Sequence, residues 1–247
     1  MALCQVNFFS QVLSRQVSVN VIVPEGRQGP FATLYLLHGL SDDHTIWLRR
    51  TRVEAYAETL PLIVVLPDAM RGYYTNHHDG PPHATYMAEE LPRFIERTFP
   101  ARTEGQARCV GGISMGGYGA LRLGLGYPGR YVSITSHAGA LMITHPGRAS
   151  SLSPDEYRRI FGPSPASSEH DLPHLARQVL TQGKLPAIRF DCGLDDPFLN
   201  ENRRFSALLQ EMGAAHEYEE FPGGHNWEYA EARIGHALQF HARALGL

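Results

Sequence analysis

Residues Gly112-Ile113-Ser114-Met115-Gly116 form a Gly-x-Ser-x-Gly pattern between an apolar stretch of strand length, 107–111, and a helical pattern over 117–125. A serine at such a junction sits on a sharp turn, and glycines two residues either side let the backbone fold where a Cβ would clash. The turn lifts the hydroxyl out of the sheet. It also aims the Met115 N–H, at the positive end of the helix, toward whatever bonds to Ser114. The same letters also mark plain turns. Reading Ser114 as a nucleophile therefore makes a demand: an acid and then a histidine must follow, each just after a later strand.

The rest of the chain alternates strand and helix patterns. Strands are expected at 5–12, 16–23, 33–37, 62–66, 107–111, 131–135, 187–191 and 216–221. The third, Thr33-Leu34-Tyr35-Leu36-Leu37, is continuously apolar, as in a parallel sheet buried on both faces. Helices are expected at 45–59, at 84–98 with Met87, Leu91, Phe94 and Ile95 on one stripe, from the serine turn to about Tyr127, at 200–212 with Phe205, Leu208 and Leu209 inward, and at 227–244. A long Gly- and His-rich loop covers 67–83. Residues 140–186, rich in proline and serine, read as an excursion over the sheet with short helices near 153–161 and 171–181. This alternation makes the class α/β with a mostly parallel sheet, and the 247 residues are taken as one domain, 1–247.

Composition narrows the function classes. With 22 Lys and Arg against 25 Asp and Glu, net charge −3, no basic footprint for nucleic acid is present. No apolar run is long enough for a bilayer and no signal peptide is visible. Cys4, Cys109 and Cys192 are odd in number and far apart, which fits reduced thiols and a cytoplasmic location. Cys109, on the strand feeding the serine turn, reads as a small buried apolar residue.

The demand is met. Gly193-Leu194-Asp195-Asp196-Pro197-Phe198 follows the strand at 187–191, and Gly223-Gly224-His225-Asn226-Trp227 follows the last strand. Both loops lie at carboxyl ends of strands, where open α/β sheets hold their sites. The chain resembles the esterase D-like enzymes of the α/β-hydrolase fold, most closely the bacterial tributyrin esterases. The segments that carry the likeness are Leu36-Leu37-His38-Gly39-Leu40 with Trp47, Gly72-Tyr73-Tyr74-Thr75-Asn76, Ala88-Glu89-Glu90-Leu91-Pro92 and Ser114-Met115-Gly116-Gly117-Tyr118-Gly119. The resemblance implies a serine carboxylesterase for short acyl esters, with no cofactor, a small-molecule ester as its partner, and dimers or tetramers as an unsurprising state.

Roles follow. Ser114 is the expected nucleophile and His225 its base, later the acid for the leaving alkoxide. The orienting acid is Asp195 or Asp196, which chemistry alone does not separate; the family pattern selects Asp196. The oxyanion hole is expected from the N–H of Met115 and, on the family pattern, that of Leu40, although Ser41-Asp42-Asp43 stand where relatives often carry glycines. His38 is read as a loop brace. His77, His78, Asp79 and His83 lack a regular ligand spacing, so no metal is expected. Tyr73, Tyr74, His137, Phe198 and Trp227 are candidates for lining the substrate pocket. A thioesterase of the S-formylglutathione hydrolase type, an acyltransferase and a feruloyl-type esterase are the competing activities.

Overall fold

The computed structural model describes residues 1–146 and 151–247; residues 147–150, within the expected excursion, lie outside the described residues. Eight strands form one sheet: β1 (Ala2–Ser10), β2 (Arg15–Val23), β3 (Ala32–Leu37), β4 (Leu62–Pro67), β5 (Arg108–Ile113), β6 (Ser133–His137), β7 (Ala187–Gly193) and β8 (Glu217–Phe221). Their spatial order is β1-β2-β4-β3-β5-β6-β7-β8. The hairpin β1–β2 and the β2–β4 pair are antiparallel, and every pair from β4 across to β8 is parallel. The carboxyl ends of β3, β5, β6, β7 and β8 therefore share one edge. The register sets Leu37 beside Gly112, Ile113 beside His137, and His137 beside Asp191.

Helices cover both faces. One face buries α1 (Ile46–Arg50), α2 (Val53–Ala57) and the long C-terminal helix α9 (Trp227–Leu245) through Trp47, Val53, Ala230, Ile234 and Leu238. The other buries α3 (His83–Thr85) and α4 (Leu91–Thr98), joined by a π-helical turn over Tyr86–Glu90, then α5 (Met115–Gly126), α7 (Leu172–Thr181) and α8 (Leu199–Glu211). Met87, Leu91 and Ile95 are fully buried there, as are Phe205 and Leu209, while Phe94 and Leu208 are half-buried. Helix α6 (Pro154–Phe161) belongs to the excursion.

The elements differ from expectation in places with identifiable causes. The single helix over 45–59 is two short ones. Thr51 is extended (φ −137°, ψ 166°), and its hydroxyl donates to Trp47 O at 2.6 Å while accepting from Val53 N at 3.3 Å. That hydroxyl closes one helix and opens the next, the local competition by which threonine interrupts helices. The helix over 83–98 widens at 86–90, where Pro92 has no N–H for the Ala88 carbonyl and its ring would press on that carbonyl in a regular α-helix. Arg130 Nη1 donates to Ala88 O at 2.9 Å and satisfies it. The sixth strand lies two residues later than 131–135 because polar Ser136 and His137 extend it, and β7 runs on to Gly193.

His241 on α9 is fully buried against β6, with Nδ1 2.7 Å from Ser133 Oγ and Nε2 2.9 Å from Thr135 Oγ1. Burial pulls its pKa down to about 3, with the positive character of His137 adding to the effect. The unfolded chain takes up this proton near pH 6.5 and the folded chain does not until about 3. Stability is therefore complete above pH 6.5 and declines as pH falls toward the folded value. Between pH 7 and pH 5, His241 alone should cost ~2 kcal/mol. Urea unfolding of wild type and His241→Gln at both pH values tests this. The variant should lose about that much less stability on acidification, and an unchanged pH difference would contradict the assignment.

Candidate active site

The serine turn is built as tightly as the glycines imply. Ser114 has φ +57° and ψ −114°, a conformation that costs a non-glycine residue roughly 1–3 kcal/mol and persists only where surroundings enforce it. Its N–H donates to His137 O at 2.9 Å, and its carbonyl accepts from Tyr118 N at 3.1 Å and Ala140 N at 3.3 Å. A Cβ at Gly116 would overlap the Leu37 carbonyl and lie 2.7 Å from His38 O, so only glycine lets α5 approach the loop after β3.

Ser114 Oγ lies 2.9 Å from His225 Nε2, and His225 Nδ1 lies 2.8 Å from Asp196 Oδ2. The Asp196 side chain is fully shielded from solvent, and its Oδ1 accepts the Phe198 N–H at 2.8 Å. Asp195 is exposed, and its N–H donates to Gly223 O at 2.9 Å. The two adjacent aspartates are thus separated by geometry, and it is Asp196 that meets the imidazole. Asn226 caps α9 by accepting the Tyr229 N–H at 2.9 Å, which fixes the residue following His225.

The two expected oxyanion donors are oriented by their carbonyls, because the C=O and the next N–H of a trans peptide point opposite ways. Ser114 O is held by Tyr118 and Ala140, so the Met115 N–H points out of the first turn of α5, where no intrahelical acceptor exists. Gly39 O is held by His38 Nδ1 at 2.7 Å and Asp42 N at 3.3 Å, so the Leu40 N–H is turned the other way. A Cβ at Gly39 would stand 3.8 Å from Ser114 Cβ, which places this loop beside the serine. The loop is braced throughout: Trp47 Nε1 donates to Leu37 O at 3.1 Å, Tyr74 Oη donates to His38 O at 3.1 Å, and His38 Nε2 accepts the Ala69 N–H at 3.0 Å.

A cleft of about 540 Å³ opens over Ser114, with Leu40, Tyr73, Ile113, Phe198, His225 and Trp227 among its walls. Of the five pocket candidates, Tyr73, Phe198 and Trp227 face this cleft. The Phe198 ring stands 5.1 Å from His225, and Trp227 packs edge-on against Trp47 at 5.0 Å. Tyr74 and His137 do not line it. Tyr74 is wholly buried under the loop it braces, and His137 is 1% exposed with Nδ1 3.0 Å from both Asp191 oxygens. Both adjoin loops of the active edge, but the hydroxyl of Tyr74 is drawn to a buried carbonyl and the ring of His137 to a buried carboxylate, so each side chain turns inward.

Arg71 is a cleft residue that the sequence does not single out. Its Nε and Nη2 donate to the Glu156 carboxylate at 2.6 and 2.9 Å, and Nη1 donates to Ser41 Oγ at 2.5 Å. The pair joins residues 85 apart in sequence, a contact that no local pattern announces. Asp42 also borders the cleft, and partial burial lifts its carboxyl above the usual range. In the His-rich loop, His77 Nε2 reaches Gly72 O at 3.2 Å, and the His78 and Asp79 N–H groups donate to Ile160 and Arg159 carbonyls. Among the described residues, no three His, Cys, Asp or Glu side chains gather in a way that could hold a metal ion.

The family model named Esterase ("Putative esterase") matches residues 10–241. The chain belongs to the esterase family. An acetyl esterase of Caldicellulosiruptor saccharolyticus is 30% identical to this esterase over 97% of the chain and 98% of the relative. An S-formylglutathione hydrolase of Paracoccus denitrificans (strain Pd 1222) is 26% identical over 90% of the chain and 86% of the relative. In structure, the serine hydrolase FphF of Staphylococcus aureus superposes with a TM-score of 0.89 over 97% of this chain and 98% of its own, at 24% identity, a likeness of fold. The fold is that of the α/β-hydrolases, and the esterase is a carboxylic ester hydrolase. No helix among the described residues is long and apolar enough to cross a membrane.

Proposed function

We propose that this esterase cleaves short-chain acyl esters through an acyl-enzyme on Ser114. The observation that carries the reading is the unbroken chain from the Asp196 carboxylate through His225 to Ser114 Oγ, at 2.8 and 2.9 Å. Ser114 Oγ attacks the ester carbonyl as His225 Nε2 takes its proton, and Asp196 holds Nδ1–H and stabilises the imidazolium. The N–H groups of Leu40 and Met115 receive the oxyanion, which forms only as the transition state is approached. Collapse expels the alkoxide, which takes the proton from Nε2, and water repeats the cycle to release the acid and free Ser114.

The bulky walls of the cleft favour a short acyl group, in keeping with an acetyl esterase as a relative. On its sequence motifs we group the enzyme with the bacterial tributyrin esterases. We also place it in the cytoplasm, where three free thiols, two of them buried, fit a reducing compartment. A thioesterase reading draws on the S-formylglutathione hydrolase relative, since a thioester delivers its acyl group to the same serine.

Measuring kcat/KM on 4-nitrophenyl acetate, butyrate and octanoate, with S-formylglutathione alongside, separates the two. Acetate or butyrate should lead, with octanoate on the order of 10-fold or more below, since each methylene a pocket cannot take costs ~1–3 kcal/mol. A preference for S-formylglutathione by several orders of magnitude would replace the ester reading with the thioester one.

A further inference from the structure

Asp191 lies at the end of the sheet that carries the site, but it faces away from the cleft. It is 1% exposed. Both carboxylate oxygens lie 3.0 Å from His137 Nδ1, and Tyr229 Oη donates to Oδ1 at 2.9 Å. His137 is itself 1% exposed and Tyr229 4%. Resting on the triad reading above, we propose that Asp191 is a positioning residue for the reaction: with His137 and Tyr229 it forms a buried hub from which the loops bearing Ser114, Asp196 and His225 are held in register.

Each connection is short. His137 O accepts the Ser114 N–H at 2.9 Å, so the residue that binds Asp191 through its ring holds the nucleophile through its backbone. The next residue, Ala138, leaves β6 at φ +48°, a conformation unfavourable for alanine, and its N–H donates to the Asp191 carbonyl at 2.8 Å. Asp191 stands on β7 two residues before Gly193, whose carbonyl accepts the Asp196 N–H at 3.2 Å. Tyr229 lies in the first turn of α9, and its N–H is the one that Asn226, next to His225, caps. Its ring fills the space above Gly223, where a Cβ would come within 2.9 Å of it.

The chemistry suits a hub. A carboxylate removed from water is stable only where donors converge on it, and those donors are then held in turn. Here they come from β6 and α9 while the acceptor sits on β7, so a shift in any one strains the other two. Burial, with the carboxylate beside it, raises the Tyr229 hydroxyl far above its ordinary value, so it stays a donor at any working pH. None of the three side chains lines the cleft, so their effect on turnover must pass through the loops they hold.

The test compares Tyr229→Phe and Asp191→Asn with Ser133→Ala, which removes a buried hydroxyl at the opposite end of β6. Active sites are counted by fluorophosphonate titration, and kcat and KM on 4-nitrophenyl acetate are expressed per titrated site. A positioning role predicts that kcat per site falls about 3- to 10-fold in Tyr229→Phe and on the order of 10²-fold in Asp191→Asn, with KM little changed, because small misplacements of reacting groups cost rate at this scale. Ser133→Ala should lose thermal stability alone. If Tyr229→Phe keeps kcat per site within about two-fold of wild type while only its melting temperature drops, the hub is structural and the proposal fails, whether or not Asp191→Asn folds. Failure of the triad reading shows up separately, as wild-type protein whose turnover does not depend on Ser114.

Discussion

Replacing Ser114 or His225 singly with alanine should lower kcat on 4-nitrophenyl butyrate by on the order of 10⁵- to 10⁶-fold, about 7–8 kcal/mol of transition-state stabilisation. The two act as one unit. His225 is the base that lies within hydrogen-bond reach of Ser114 Oγ among the described residues, and without Ser114 that base has no serine hydroxyl to activate. The double variant should therefore be no worse than either single one. A residual acceleration of roughly 10³-fold over the uncatalysed reaction should survive in all three, because the oxyanion donors and the cleft are untouched. KM should change little, since neither side chain is needed to hold the ground-state ester. Losses that multiplied in the double variant would mean the two residues work independently, which the 2.9 Å contact does not allow.

Asp196→Asn should cost about 10⁴-fold in kcat, while Asp195→Asn stays within about two-fold of wild type. The amide introduced at position 196 would present an N–H₂ to Nδ1 and favour the tautomer with its proton on Nε2, so the base could no longer accept from Ser114. The Asp196 side chain is fully shielded, and Oδ1 already accepts the Phe198 N–H, so a flipped amide would set a donor against that N–H. Asp195 contributes to its loop through its backbone N–H, which the substitution leaves in place. Steady-state kinetics of the two variants side by side decides between neighbours in sequence that sit in opposite environments. Equal losses would contradict the separation.

Much of this arrangement is legible in the sequence because it is written locally. The serine turn carries its glycines two residues either side of Ser114, at 112 because a Cβ would meet the Gly116 backbone within the same turn and at 116 because it would meet the Leu37 and His38 carbonyls, and the acid and the histidine each follow a recognisable strand. The departures have two causes: a local hydrogen bond that competes with a helix, and contacts between residues far apart in the chain. The expected helix at 45–59 breaks because one hydroxyl on Thr51 serves both flanking helices. The strand at 133–137 includes polar Ser136 and His137, and a sequence scan for apolar runs passes over a histidine whose partner, Asp191, lies 54 residues on. His137 and Tyr74 suggest themselves for the pocket because they adjoin active-edge loops, yet adjacency in sequence does not say which way a side chain points. Arg71 escapes a reading of the sequence for the complementary reason: its role at the cleft depends on Glu156 and Ser41, both distant in the chain.

The central claim is that the ester's acyl group passes through Ser114. Rapid acid quenching during turnover of 4-nitrophenyl butyrate, followed by peptide mass mapping, tests it directly. The account predicts a butyryl adduct on the peptide bearing Ser114, absent from Ser114→Ala and accumulating more slowly in His225→Ala. Full turnover with no adduct on that peptide, or an adduct on another residue that persists in Ser114→Ala, would contradict it.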